Sequence, residues 1–184
     1  MKKTDLIQPL RLLLYFVAGL SLSACAHSVG SYDPIMALSP GVSFSQFENL
    51  VLVAKNQDSV PMTPLDRERL VNKIVRRIQA AGVFKSINEG SSQSNTLAAT
   101  LEVTNYDRGN AFLRFLLAGL GQIHIDGELT LEDPNQTEKL AKYNVNKTFA
   151  WGGIHGGSTN IEAVEEGFAE TVAEIILEKN KRTD

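Results

Sequence analysis

The sequence predicts an α+β fold: a two-layer sandwich in the order β-α-β-β-β-β-α, with a mixed or antiparallel sheet and two long helices on one face. Three observations carry this. Apolar and polar residues alternate over three stretches of the second half, two well-separated segments carry apolar residues at helical spacing, and no internal repeat is visible. The composition agrees. A chain of 184 residues, 43% hydrophobic and 21% charged, is not a disordered polymer, a collagen or a polytopic membrane protein, and has room for one domain.

Taking the elements in order, residues 50–54 read Leu-Val-Leu-Val-Ala, a continuous apolar run of the kind found in a central strand covered on both faces. Thr63, Pro64 and Asp66 then supply a cap, a first-turn proline and a charge suited to the positive end of a helix. In the helix that follows, Val71, Ile74, Val75, Ile78 and Ala81 form one stripe, and Gly82 ends it. Residues 83–87 suit a second strand and 88–95 a loop. Leu97, Ala99, Leu101 and Val103 mark a half-buried third strand, and Ile123, Ile125, Leu129 and Leu131 a fourth. Asp133-Pro134-Asn135 turns the chain into a fifth, phased by Ala141, Tyr143, Val145 and Phe149, so that the last two strands form an antiparallel hairpin. Thr159 and Glu162 have capping-box spacing before a final helix whose apolar face is Ile161, Val164, Phe168, Val172, Ile175 and Ile176.

The first residues give an address. Lys2 and Lys3 precede a mostly apolar run over residues 10–23, too short for the roughly 20 residues that span a bilayer but right for a secretory signal. It ends in Leu22-Ser23-Ala24-Cys25, which resembles the bacterial lipobox and contains the chain's one cysteine. That resemblance implies cleavage after residue 24 and a Cys25 bearing a diacylglyceryl group and an amide-linked palmitate-type chain. Ala26, where Asp is the usual inner-membrane retention signal, points to the outer membrane, with the domain on its periplasmic side. Residues 25–43 read as a flexible tether reaching about 20 Å, residues 44–180 as the domain and 181–184 as a tail. Loss of Lys2, Lys3, Arg11 and Asp5 takes the net charge from −3 to −5, which excludes a general nucleic-acid binder.

Several constellations invite a chemical reading. Glu162, Glu166, Glu170, Glu174 and Glu178 stand at i,i+4 spacing; the plain reading is a solvated acidic face offset by the basic first helix, the alternative a docking surface. Residues 151–159, Trp-Gly-Gly-Ile-His-Gly-Gly-Ser-Thr, are a glycine-rich loop before a helix, yet no lysine follows as in a phosphate-binding loop, and a hinge or partner loop is expected. His124, Asp126 and Glu128 share one face of one strand and are the chain's only tolerable catalytic trio, although alternation alone explains them as a wet sheet face. No metal-binding or cofactor-binding motif is present, so no cofactor is expected.

The most distinctive stretch is residues 106–121, Tyr-Asp-Arg-Gly-Asn-Ala-Phe-Leu-Arg-Phe-Leu-Leu-Ala-Gly-Leu-Gly, far more apolar than a strand connection needs. Two readings stay open: Phe112, Phe115, Leu116 and Leu120 cover a bare sheet face, or they form an exposed patch for a partner or the membrane, with Phe112, Arg114, Phe115 and Leu116 in contact. Together with the strand ending Leu131-Glu132-Asp133 and the run Gly82-Val83-Phe84, this stretch resembles the bacterial lipoprotein family known as domain of unknown function 4410. Gly119-Leu120-Gly121 departs from that family's Gly-Ala-Gly, and Asp133-Pro134-Asn135 from its Asp-x-x-Thr-Gly. The expected architecture is also similar to the curli-export lipoprotein and to the N-terminal domain of the Tol-system periplasmic protein. The resemblance implies no catalytic residue. The expected role is therefore a non-enzymatic binding or envelope-assembly subunit, partnered by the outer membrane through its anchor and by an envelope protein or a second copy. The alternatives are an envelope enzyme using His124, Asp126 and Glu128, or a pore-forming oligomer similar to the curli exporter.

Overall fold

A computed structural model describes residues 30–38, 40–88, 95–117, 120–136, 138–151 and 153–178. Cys25, the signal segment and the tail 181–184 lie outside the described residues. The elements are β1 (Ser31–Met36), a single 3₁₀ turn (Phe44–Gln46), β2 (Asn49–Asn56), α1 (Pro64–Ala81), β3 (Ser86–Asn88), β4 (Thr96–Asp107), α2 (Ala111–Leu116), β5 (Ile123–Glu132), β6 (Lys139–Phe149), α3 (Gly153–Ser158) and α4 (Ile161–Ile176). Six strands form one open mixed sheet in the order β1-β6-β5-β4-β2-β3, parallel at β4-β2-β3 and antiparallel elsewhere. The two long helices α1 and α4 pack side by side, so the α+β two-layer sandwich is the fold.

The core lies between sheet and helices. Leu97, Leu101, Val103, Ile123, Ile125, Leu129 and Leu131 from the sheet meet Leu70, Ile74, Ile78, Phe168, Val172 and Ile176, all buried. Alternation, unbroken along β5 and shifted in β4 by an irregularity between Val103 and Asn105, puts their other side chains on an open polar face. Helix α1 starts as its sequence requires: the Thr63 hydroxyl accepts from Asp66 N at 3.2 Å while Asp66 Oδ2 accepts from Thr63 N at 3.1 Å. Gly82 closes it in a left-handed conformation. Helix α4 is capped one residue later than expected. Asn160 Oδ1 accepts from Ala163 N, because the Thr159 hydroxyl is committed to the carbonyl of His155.

Four expectations are corrected. The tether of residues 25–43 is shorter, since Ser31–Met36 forms an edge strand against β6. That strand was hidden because an edge strand with exposed side chains needs no apolar alternation, and Pro34 is tolerated there. The run 50–54 is half-buried rather than covered on both faces, with Val53 exposed, because the helices cover one side only. The second expected strand, 83–87, shrinks to Ser86–Asn88 at the opposite edge. Finally, of the glutamate row only Glu162 stands exposed to solvent, and the basic first helix supplies the expected offset. Arg77 reaches Glu166 at 2.9 Å and Glu170 at 3.6 Å, and Lys73 reaches Glu166 at 3.6 Å, so basic α1 and acidic α4 are laced together.

Candidate functional site

The segment 108–122 leaves the sheet at the end of β4 and returns at β5, and residues 150–160 leave β6 at the same end, since Asp107 pairs with His124 and Ile123 with Phe149. The two segments meet there as the short helices α2 and α3. Their base is closed by backbone. Asn110 N donates to Gly121 O at 3.1 Å, Asn110 Oδ1 accepts from Leu113 N, and Asp107 Oδ1 accepts from Gly109 N. Gly109 and Gly121 have φ of 62° and 65°, and a Cβ on Gly109 would stand 2.2 Å from the carbonyl oxygen of Gln122. Only glycine fits both demands.

Arg114 is the pin of this tip. Its guanidinium donates through Nε to Gly156 O at 2.8 Å, through one terminal nitrogen to Gly121 O at 2.6 Å and through the other to Thr159 O at 2.9 Å. It is 2% exposed, so it is removed from the expected contact surface: its charge is spent inside, on carbonyls of α3's last turns and the α2–β5 connection. The glycine-rich run has a related purpose. Residues 153–158 are helical rather than a loop, and a side chain on Gly157 would press on the Phe115 Cβ at 3.3 Å, while one on Gly156 would meet Trp151 O at 2.1 Å. The glycines let α3 lie against α2, and no anion cradle is needed to explain them.

With Arg114 turned inward, the tip presents apolar surface. Phe112, Phe115 and Leu116 are 66%, 51% and 55% exposed. Leu117, Leu120, Trp151 and Ile154 stand exposed beside them. The reading in which these residues cover a bare sheet face is therefore overturned: they project from one end of the sandwich. Scattered apolar residues on a surface are ordinary, but this many in and beside two adjoining short helices concentrate apolar surface at one end.

The expected catalytic trio lies along the open sheet face, with His124 and Asp126 paired and Glu128 drawn to another partner. His124 Nε2 lies 2.8 Å from Asp126 Oδ2 and its Nδ1 bonds to Thr148, whereas Glu128 is engaged by Lys142 at 2.6 Å. A shallow depression of about 590 Å³ nearby includes His124, Asp107 and Asn105 but neither Asp126 nor Glu128. Among the described residues no group of three or more His, Cys, Asp or Glu side chains is placed to hold a metal ion, and no helix is long and apolar enough to cross a membrane.

A buried polar cluster escaped the sequence reading. Glu165, fully buried, takes both Arg69 Nε and Nη2 at 2.8 Å, the Tyr106 hydroxyl at 2.7 Å and Lys73 Nζ at 3.1 Å. Arg69 continues to Asp66 at 2.8 Å, which Arg108 reaches at 2.6 Å. Burial and the Glu165 carboxylate push the Tyr106 hydroxyl well above its ordinary range. Burial would raise Asp66, but bonds from Thr63, Arg69 and Arg108 outweigh it and hold the carboxyl well below the usual range. The signal was present: Glu165 falls on the apolar stripe between Val164 and Phe168. Four donors surround its carboxylate, so the cluster is a clamp between β4, α1 and α4 with no open position for a substrate.

The model of the family described as Domain of unknown function (DUF4410) matches residues 26–153. The chain belongs to that family. This DUF4410 domain has no match among curated proteins. Among solved structures it is similar to the PelC dodecamer from Paraburkholderia phytofirmans, with a TM-score of 0.54, 13% identity, and coverage of 81% of this chain and 97% of that chain. A variant PelC dodecamer in a second crystal form matches with a TM-score of 0.52. A minor lipoprotein from Acinetobacter baumannii is 14% identical over 72% of this chain and 95% of that chain, with a TM-score of 0.41. At these identities the likeness to PelC shows the shared fold. The DUF4410 match spans β1 through β6 with the whole α2 segment, so Arg114, Gly109 and Gly121 lie inside it, while Gly156 and Gly157 lie beyond it.

Proposed function

We propose that this protein is an outer-membrane lipoprotein, anchored through an acylated Cys25, whose single non-catalytic domain faces the periplasm and acts as a binding or envelope-assembly subunit through its apolar tip. The observation that carries this reading is the exposure of Phe112, Phe115 and Leu116 on a base pinned by Arg114. A protein that merely needed to close its sheet would bury them, at roughly 1.5–3 kcal/mol per side chain. The lipobox-like Leu22-Ser23-Ala24-Cys25 supports the anchor, and the family membership is consistent with it.

Cys25→Ser tests the anchor. The variant is expected in the soluble envelope fraction, and continued sedimentation with membranes would contradict the reading. Phe112→Ala together with Phe115→Ala is expected to abolish photocrosslinking of the tip, to lipid or to protein, in cells while leaving the unfolding free energy within about 0.5 kcal/mol of the parent, as for exposed positions. Self-association is a second reading, favoured by the open sheet edges β1 and β3 and by the dodecameric state of PelC, which shares the fold. A ring-sized species on size-exclusion chromatography in detergent would support it, and a monomer peak would exclude it.

A further inference from the structure

We infer that the tip is seated in the lipid bilayer itself, so that the domain is held to the membrane twice, by the Cys25 anchor and by Phe112, Phe115, Leu116, Trp151 and Ile154. This rests on the lipid-anchored reading above and adds the orientation of the domain and the occupant of its patch.

The direction of the first strand decides the geometry. Ser31 pairs with Asn146 and Tyr32 with Val145 in antiparallel register, so the chain upstream of Ser31 comes from the end of β6 that leads to Phe149, which is the end carrying the tip. Asn146 lies three residues before Phe149, about 10 Å at the rise of a strand. Cys25 is five residues before Gly30, a reach of at most about 17 Å. The chain length from Gly30 therefore lets an acylated Cys25 reach no more than roughly 10 Å beyond the end of the sheet. A protein partner on the tip would have to fit into that gap between domain and membrane.

The composition of the tip fits the same occupant. Neither α2 nor α3 contains a carboxylate, although the mature chain is acidic, and the one guanidinium in them is buried. Phe, Leu, Ile and Trp on a blunt helical end are the residues that insert into the boundary between headgroups and acyl chains. One acyl anchor leaves a domain free to rotate. A second contact removes that freedom and fixes which faces look into the periplasm.

Trp151 is the chain's single tryptophan and is 70% exposed at the tip, so its fluorescence reads the contact directly. The full chain, processed in a Gram-negative host and purified from membranes, is reconstituted into phosphatidylethanolamine–phosphatidylglycerol vesicles with or without brominated acyl chains. The expected result is blue-shifted emission, quenched at least twofold by the brominated lipid. Phe112→Ser with Phe115→Ser, and separately Leu116→Asp, should lose shift and quenching while keeping the parent's far-ultraviolet circular dichroism. Emission of a water-exposed indole without quenching overturns the inference. So does blue-shifted emission that bromine does not quench, the signature of a tip covered by another protein or a second copy. An intact mass without acyl groups on Cys25 defeats the anchor reading alone; acylated protein with unquenched Trp151 defeats only the seating of the tip.

Discussion

Arg114 and Glu165 are both charged and both buried, and the chain satisfies them in different ways. Glu165 is neutralised by Arg69 and Lys73, whereas Arg114 is held by three backbone carbonyls. Removing one partner from a buried charge cluster costs about 3–5 kcal/mol, so Glu165→Ala should lower stability by that much in urea unfolding, while Glu166→Gln, at a half-exposed pair, should cost under about 1 kcal/mol. Arg114→Ala should cost at least about 3 kcal/mol, since each of its three charged hydrogen bonds contributes roughly 1.5–3, and Arg114→Lys should restore only part, because an ammonium cannot fork to three carbonyls. Asp66 sets a pH dependence. Its carboxyl titrates lower in the folded protein than in the unfolded chain, whose ordinary value is 3.8. Its contribution is therefore complete above about pH 4 and lost as the pH falls from there toward its folded value. The urea midpoint of the parent should drop below pH 4 more steeply than that of Asp66→Asn, and parallel curves would contradict the assignment.

The two short helices owe their placement to glycine rather than to propensity. Gly109→Ala should be costly twice over, from its left-handed backbone, about 1–2 kcal/mol, and from the Gln122 carbonyl at 2.2 Å. Gly41 shares the positive φ but has open space around it, so Gly41→Ala should show the backbone cost alone. A thermal unfolding series on the two variants separates these contributions; equal losses would deny the close approach. The long elements were legible because each buries one periodic face: the stripe from Val71 to Ile78 and the alternation from Leu97 to Val103 announce themselves. Strand β1 was not, since its pairing is made by backbone and, Tyr32 apart, its side chains face water. Nor was the inward turn of Arg114. An arginine between Leu113 and Phe115 looks like the polar member of a contact patch until the carbonyls of Gly121, Gly156 and Thr159, distant in sequence, are seen to converge on it. The exposure of Phe112, Phe115 and Leu116 was one of two open readings, because an apolar side at helical spacing does not say which neighbour it meets.

Taken together, the sandwich separates its tasks by direction. One face of the sheet carries the core and the ion-laced helix pair, the other is an open polar surface, and one end gathers the apolar side chains and the approach of the N-terminal chain. Anchoring at that end leaves the opposite end and the polar face available to the envelope, the arrangement expected of a binding or assembly subunit. Exposed apolar surface at the tip also makes the unanchored domain prone to association, so Cys25→Ser protein should aggregate more readily than the same variant carrying Leu116→Asp, as light scattering at matched concentration would register. The anchor remains the claim on which location and role both depend. It is tested most directly by the intact mass of protein extracted from membranes: the account predicts a chain beginning at Cys25 with a diacylglyceryl and an amide-linked acyl group added, and an unmodified thiol or a retained leader would contradict it.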